Sequence, residues 1–525
     1  MSIKTICKTT LFAVFILQLL AATAVFAQES DDKMEELSGK IDGLSERTAT
    51  LESSVLKLNQ MKLSGYVQPQ WVWTDIDTLA NQTLTRNFFQ IRRGRVKFTH
   101  ATVIDPTTGF SNVSAVIYPD ITETGVIIKE VYAKWDIMTD QATSLPELSL
   151  QAGAMNRPFG YEIGYSSGSR EIAERTTAEN RLFNGERDLG AQLAWSPTIA
   201  DIRPVIEVGL FNGSDAFGKG PVAGNTLNFA NAPLKQGTYS AAQLSGADSA
   251  FRAKVNAAKT NEDALTSMKQ NQKELLGHIR VPILINDELS FDLGGSIALG
   301  GIYEPSDVMG EYTGTNGALV LKFSEDPLAP HDFNAAKGAN NNTFLGANRS
   351  IMGADLQVYL SVLPFGGTIV KGEMYSGHTP FYGSAFLFTK ADSATLGNPV
   401  VSTVIKNVFG YYAMLVQNIT DDFQLAVRYD VFDPNADVEG TNFAVKDGAG
   451  VTALRGVSAS SGFGGDLQLS TLSVALNAYV SGAIRFMLNW DHPMTEEFTK
   501  AVGTEVATVG DAHDDKITVR MQYKF

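Results

Sequence analysis

Between Asn87 and Phe98 the chain reads Asn-Phe-Phe-Gln-Ile-Arg-Arg-Gly-Arg-Val-Lys-Phe, which puts cations at alternate positions. If Val96 and Phe98 face apolar surroundings, Arg93, Arg95 and Lys97 share the opposite face of one strand, about 7 Å apart. Repulsion between such neighbours is only about 0.6 kcal/mol in water and grows as the local dielectric falls. A narrow channel would therefore need anions or facing carboxylates to offset it. Two readings follow: a track for anions, or a wall network of ion pairs drawing on Glu130, Asp136 or Asp355. Strict alternation turns Arg92 toward lipid, which predicts a headgroup-level position or a bulge at Gly94.

Other chemistry is poorly represented. The six histidines are scattered, with no His-Glu-x-x-His pair, no Gly-x-Ser-x-Gly elbow and no phosphate-cradling glycine loop, so no enzyme is expected. His278 reads as a satisfied interior residue. The single cysteine, Cys7, lies in the leader, which removes disulfides and metal thiolates from consideration. No cofactor is expected. A formal net charge of −15 argues against nucleic acid as a partner.

The elements that must position the basic strand are read from both ends. Residues 1–27 form a secretory signal peptide: Lys4 and Lys8, an apolar stretch from Leu11 to Leu20, and Val25-Phe26-Ala27 before cleavage. At the other end Ile517, Val519, Met521, Tyr523 and Phe525 alternate with Lys516, Thr518, Arg520, Gln522 and Lys524. This is a strand with one apolar and one polar face. Slipping it by one residue in a bilayer would place Arg520 in lipid, at roughly 2–4 kcal/mol near the midplane.

From Met61 onward about sixteen strand candidates follow, at 63–74, 87–103, 110–118, 126–137, 147–155, 188–196, 203–212, 274–283, 288–299, 350–362, 367–376, 406–417, 422–432, 470–480, 483–491 and 515–525. Links after even strands are short and rich in turn formers, such as Asn286-Asp287 and Ser481-Gly482. Most links after odd strands are long, notably 156–187, 213–273, 301–349, 377–405, 433–469 and 492–514; within them 240–273 reads as polar helix. That alternation predicts an all-β, antiparallel transmembrane barrel spanning 61–525 in the outer membrane, with short periplasmic turns and long outer loops. Membrane lipid is the expected partner of its outer face, and the terminal Phe525 resembles the element read by the barrel-assembly machinery.

Residues 28–60 are expected to lie in the periplasm as a short helical coiled coil. Met34, Ile41, Thr48 and Val55 occupy one core position of a heptad, and Leu37, Leu44, Leu51 and Leu58 the other. An amphipathic helix lying on the barrel rim is the alternative. The coiled coil also raises the possibility of an envelope tether in which the pore is incidental.

A resemblance rests on six segments in order: Phe89-Gln-Ile-Arg-Arg-Gly-Arg-Val-Lys-Phe98, Asn156-Arg-Pro-Phe-Gly160 with Glu162, Glu186-Arg-Asp-Leu-Gly190, Gly209-Leu-Phe-Asn-Gly213, Arg428-Tyr-Asp430 and Leu476-Asn-Ala-Tyr479. Across most of 61–525 the chain resembles the phosphate-selective porin O and P family. The resemblance implies a homotrimeric sixteen-stranded porin passing small anions such as phosphate, with loops folded inward and arginines stepping through the constriction. On this reading Arg93, Arg95, Lys97 and Arg428 line the pore with Arg157, Arg175 and Arg181 of the third loop. That loop also carries Glu162, Glu171, Glu174, Glu179 and Glu186, a near balance that favours a general channel over pure phosphate selectivity.

Overall fold

The computed structural model describes residues 60–75, 87–103, 112–139, 145–183, 186–199, 202–213, 226–227, 273–303, 308–313, 318–323, 346–361, 366–387, 400–442, 444–447, 450–454, 466–502, 505–511 and 514–525, and Arg47. The chain divides into two units, 1–61 and 62–525. The leader, the heptads and the 240–273 helix lie outside the described residues.

Sixteen strands form one closed ring. In chain order they are β1 (Met61–Thr74), β2 (Asn87–Val103), β3 (Asn112–Thr122), β4 (Gly125–Thr139), β5 (Pro146–Asn156), β6 (Arg187–Trp195), β7 (Val205–Phe211) and β8 (Glu274–Asn286). There follow β9 (Leu289–Tyr303), β10 (Gly346–Leu360), β11 (Thr368–Leu387), β12 (Val400–Asn418), β13 (Phe423–Asp433), β14 (Leu469–Tyr479), β15 (Ile484–Thr495) and β16 (Lys516–Lys524). Each pairs with its neighbours in sequence, and β16 returns antiparallel to β1 in a register running from Tyr66↔Lys524 to Thr74↔Lys516. Closure leaves no sheet edge unpaired around the ring.

The inside-out distribution of polarity explains why these residues form this ring. Along β16, Val519 is 42% exposed and points out, whereas Arg520 is 2% exposed and points in; Met521, Tyr523 and Gln522 continue the alternation. β10 and β15 repeat it, with Met352, Leu356, Phe486 and Leu488 outside and Asp355, Gln357, Arg485 and Asn489 inside. An apolar exterior around a polar interior is stable only where the exterior meets hydrocarbon. β13 departs from the pattern at its end, where Val431 and Phe432 are both buried.

Short links 287–288, 419–422 and 480–483 follow even strands, and 157–186, 212–273, 304–345 and 434–468 follow odd ones, as the turn residues imply. Two odd links differ. The β3–β4 connection is the tight turn at Glu123 and Thr124, and most of the loop expected at 377–405 is strand, because β11 runs on to Leu387 and β12 begins at Val400. A hairpin of Val308–Thr313 and Ala318–Phe323 pairs in parallel with β12 at Thr403–Ile405, supporting that extension.

Gly65 marks the seam. A Cβ there would collide with the carbonyl oxygen of Arg95 and the Phe525 ring, so only glycine admits this approach.

Candidate functional site: a cationic cavity inside the barrel

The link 157–186 does not leave the barrel; it crosses the interior. Phe159, Ile163, Leu182 and Phe183 pack with wall residues Met155, Phe211, Leu276 and Tyr375, and the Phe159 and Phe183 ring centroids lie 4.5 Å apart. Further along, Ile172 and Ala173 pack against Tyr412, Met414, Ala475 and Met487. A buried loop must find partners for its backbone groups, and here the wall supplies them. Arg485 donates to the Arg170 carbonyl at 2.8 Å, Asn477 to Glu171 at 2.9 Å, Arg520 to Ala173 at 2.7 Å and Arg428 to Glu174 at 2.8 Å. The Glu373 carboxylate accepts from the Tyr161 and Glu162 amides, both at 3.1 Å. Gly160, at φ +62, turns the chain over that carboxylate, where a Cβ would collide with it.

A one-and-a-half-turn helix, α1 (Thr177–Leu182), closes the segment; the Thr176 hydroxyl accepts from the Glu179 amide as its N-cap. The next anchor is Glu186, held at φ +62, whose carboxylate pairs with both Arg175 and Arg187. That strained backbone lets one carboxylate bridge the loop and β6.

Glu174 is the strongest tether. Arg92 donates to it at 3.0 and 2.9 Å, Arg93 at 2.8 Å and Arg520 at 2.7 Å. Burial alone would raise its carboxyl, yet Arg93, Arg92 and Arg520 hold it well below the usual range. Glu186 is likewise held low, with Arg175 and Arg187 overcoming its burial. For Glu179 burial wins against Arg175 and pushes the carboxyl up to about 8.

These contacts fasten the segment to β2, β8 and β11–β16. Facing the β2–β7 wall they leave a cavity of about 420 Å³. Its cations are Arg95, Lys97, Arg157, Arg175 and Arg187, and its carboxylates Glu130 and Glu207. Most of the cations are already paired: Arg95 with Asp120 at 3.0 Å, Arg187 with Glu130 at 2.8 Å, and Arg175 with Glu186. Arg157 lies 5.0 Å from the Phe183 ring centre. Lys97 has its ammonium 5.8 Å from the Tyr118 ring centre and pairs with no carboxylate among the described residues.

The structure thus separates the basic residues singled out from sequence. Arg95, Lys97, Arg157 and Arg175 meet at the cavity. Arg93 is 3% exposed, behind the crossing segment, bound to Glu174 and Gln68. Arg428 is buried with Asp430 at 3.3 Å and Glu162 at 3.7 Å, and Arg181 is exposed on α1, away from the cavity lining. Arg92 does not face lipid: it and its neighbour Arg93 reach the same carboxylate, so alternation lapses there. The wall network is present with partly different partners, Asp120 for Arg95, Lys134 for Asp136 at 2.8 Å and His278 for Asp355 at 3.0 Å. Tyr118, Tyr132, Gln151, Gln192 and Glu207 escaped sequence reasoning. Their only signal is an inward position on β3–β7.

No family model matches the chain, so the resemblance drawn above stands on its motifs alone. No curated protein matches it either. Solved structures similar to it include the anion-selective porin from Comamonas acidovorans, 9% identical, covering 89% of this chain and 99% of that one with a TM-score of 0.42. The outer membrane channel DcaP of Acinetobacter baumannii is 8% identical over 89% and 97% of the two chains, with a TM-score of 0.43. OmpT of Vibrio cholerae is 7% identical over 89% and 97%, with a TM-score of 0.40. Likeness at this level carries no residue role across, and the assignment below rests on the chain's own geometry.

Proposed function

We propose that this chain is a passive outer-membrane porin through which small anions, phosphate among them, diffuse. One observation carries the reading: a closed barrel with an apolar exterior is crossed by 157–186, leaving for passage a cavity of about 420 Å³ whose lining holds five cationic side chains and two carboxylates. Such a passage works by width and by the field of its wall charges. Pairing of Arg95, Arg175 and Arg187 moderates that field, so the expected behaviour is a preference for anions and not exclusion of neutral solutes. The heptads at 34–58 support assembly into a trimer on the periplasmic side; removing residues 34–60 should then abolish trimers, whereas a tether would lose envelope integrity with trimers intact.

The test is the reversal potential of the reconstituted protein in a planar bilayer under a potassium chloride gradient. Chloride should dominate the current at low salt. Cation preference, or no conductance from correctly folded barrels, would overturn the reading.

A further inference from the structure

We infer that the passage is built for hydroxylated monocarboxylates, of the sugar-acid type, in preference to multiply charged inorganic anions. The inference rests on the porin reading and names the substrate class of the same passage.

Two observations favour a single charge. Lys97 is a lining cation that meets no carboxylate among the described residues, while Arg95, Arg175 and Arg187 have theirs within the protein. The same cavity is lined by Glu207, whose side chain is 30% exposed; one oxygen accepts from Gln192 at 2.7 Å and the other is 4.0 Å from His278. A dianion gains twice from Lys97 but is repelled twice by Glu207, and ion pairs already formed add little to either. A monocarboxylate can place its one charge at Lys97 and turn its neutral end to the rest of the wall.

The rest of that wall is suited to hydroxyl groups. Gln151, Asn156 and Tyr132 line the cavity and hydrogen-bond through their side chains to no other described residue. Gln151 and Tyr132 are half-buried and border the cavity, so the polar groups of a permeant can take the place of water on them; Asn156 Oδ1 is buried with no hydrogen-bond partner among the described residues. Sulfate and chloride offer these groups only acceptors, whereas a polyol also offers donors to the Gln151 side-chain carbonyl, the Tyr132 hydroxyl and the Glu207 carboxylate.

Bilayer reversal potentials with potassium gluconate, acetate, sulfate and chloride test this. Gluconate permeability relative to acetate should exceed the ratio of their aqueous mobilities, and sulfate should fall below its own. Replacing Gln151 and Asn156 by Ala with Tyr132→Phe should return the gluconate ratio to the mobility value. Glu207→Gln should raise sulfate permeability by about threefold or more at low salt. Gluconate at or below its mobility ratio in the wild type, with chloride still preferred over potassium, would overturn the inference and leave the porin reading standing. Loss of chloride preference in the wild type would remove that reading and this inference with it.

Discussion

Arg520, on the strand that closes the ring, donates from Nη2 to Oε1 of Glu174 at 2.7 Å, joining the last strand to the segment that crosses the barrel. Arg92 and Arg93 approach the same carboxylate from β2. One side chain thereby holds three guanidinium groups on strands that flank the seam.

Glu174→Ala should therefore release the crossing segment and leave three cations without their shared counter-charge. Removing one partner from a buried ion-pair cluster costs about 3 kcal/mol or more. The barrel should persist, since its ladders are untouched, but single-channel conductance should rise and the current become noisier. Conductance equal to wild type, with no greater protease access at 157–186, would contradict the tethering role.

Lys97→Gln and Arg93→Gln should behave differently although both remove one cation from β2. Lys97 borders the cavity unpaired by any described carboxylate, whereas Arg93 is sealed behind the segment with Glu174. The Lys97 variant should lose anion preference with unchanged stability. Its effect should be greatest near 0.01 M salt, where the Debye length approaches about 30 Å, and small near 1 M, where it is about 3 Å. The Arg93 variant should alter conductance and thermal stability more than selectivity. Equal selectivity losses in the two would count against the division.

Burial raises the Glu179 carboxyl to about 8 in the folded chain, above its usual carboxylate range near 4.5. The folded state thus binds the extra proton between those values, and stability falls as pH rises through that window. Glu174 and Glu186, held low, act in the opposite sense: their contribution is present above the usual carboxylate range and lost as pH falls below it. The temperature at which the folded barrel is lost should decline from about pH 6 to about pH 8, and Glu179→Gln should flatten that decline. A slope unaltered by Glu179→Gln would reject the assignment.

Phe525 exchanges backbone hydrogen bonds with Gly65, at 2.9 and 3.0 Å, where the ring closes. Its side chain is exposed on the outer face, beside Tyr523 at 6.3 Å between ring centres. The backbone bonds survive Phe525→Ala, so the finished barrel should be nearly as stable. Its yield should fall, because the aromatic is available for recognition before closure. Wild-type amounts of heat-modifiable barrel from the variant would argue that the terminal ring plays no part in assembly.

The sixteen strands were legible in the sequence, as were the inward and outward faces of β10, β15 and β16, whereas β2 at Arg92 and the end of β13 depart from the alternation. Period-two alternation is local, a slip by one residue reverses every side chain, and turn formers such as Asn286-Asp287 punctuate the ladders within a few positions. The basic character of β2 was legible for the same reason. What the sequence alone could not decide is which of those cations meets open water. Arg93 and Lys97 share a strand and a face, and differ only in what lies before them: Glu174, some eighty positions on, stands against Arg93, while nothing described with a negative charge stands against Lys97. Contacts at that separation leave no periodic trace in the chain. They arise because 157–186 can satisfy its buried carbonyls and carboxylates only by lying against the arginines of the far wall, and that choice places the passage beside β2–β7.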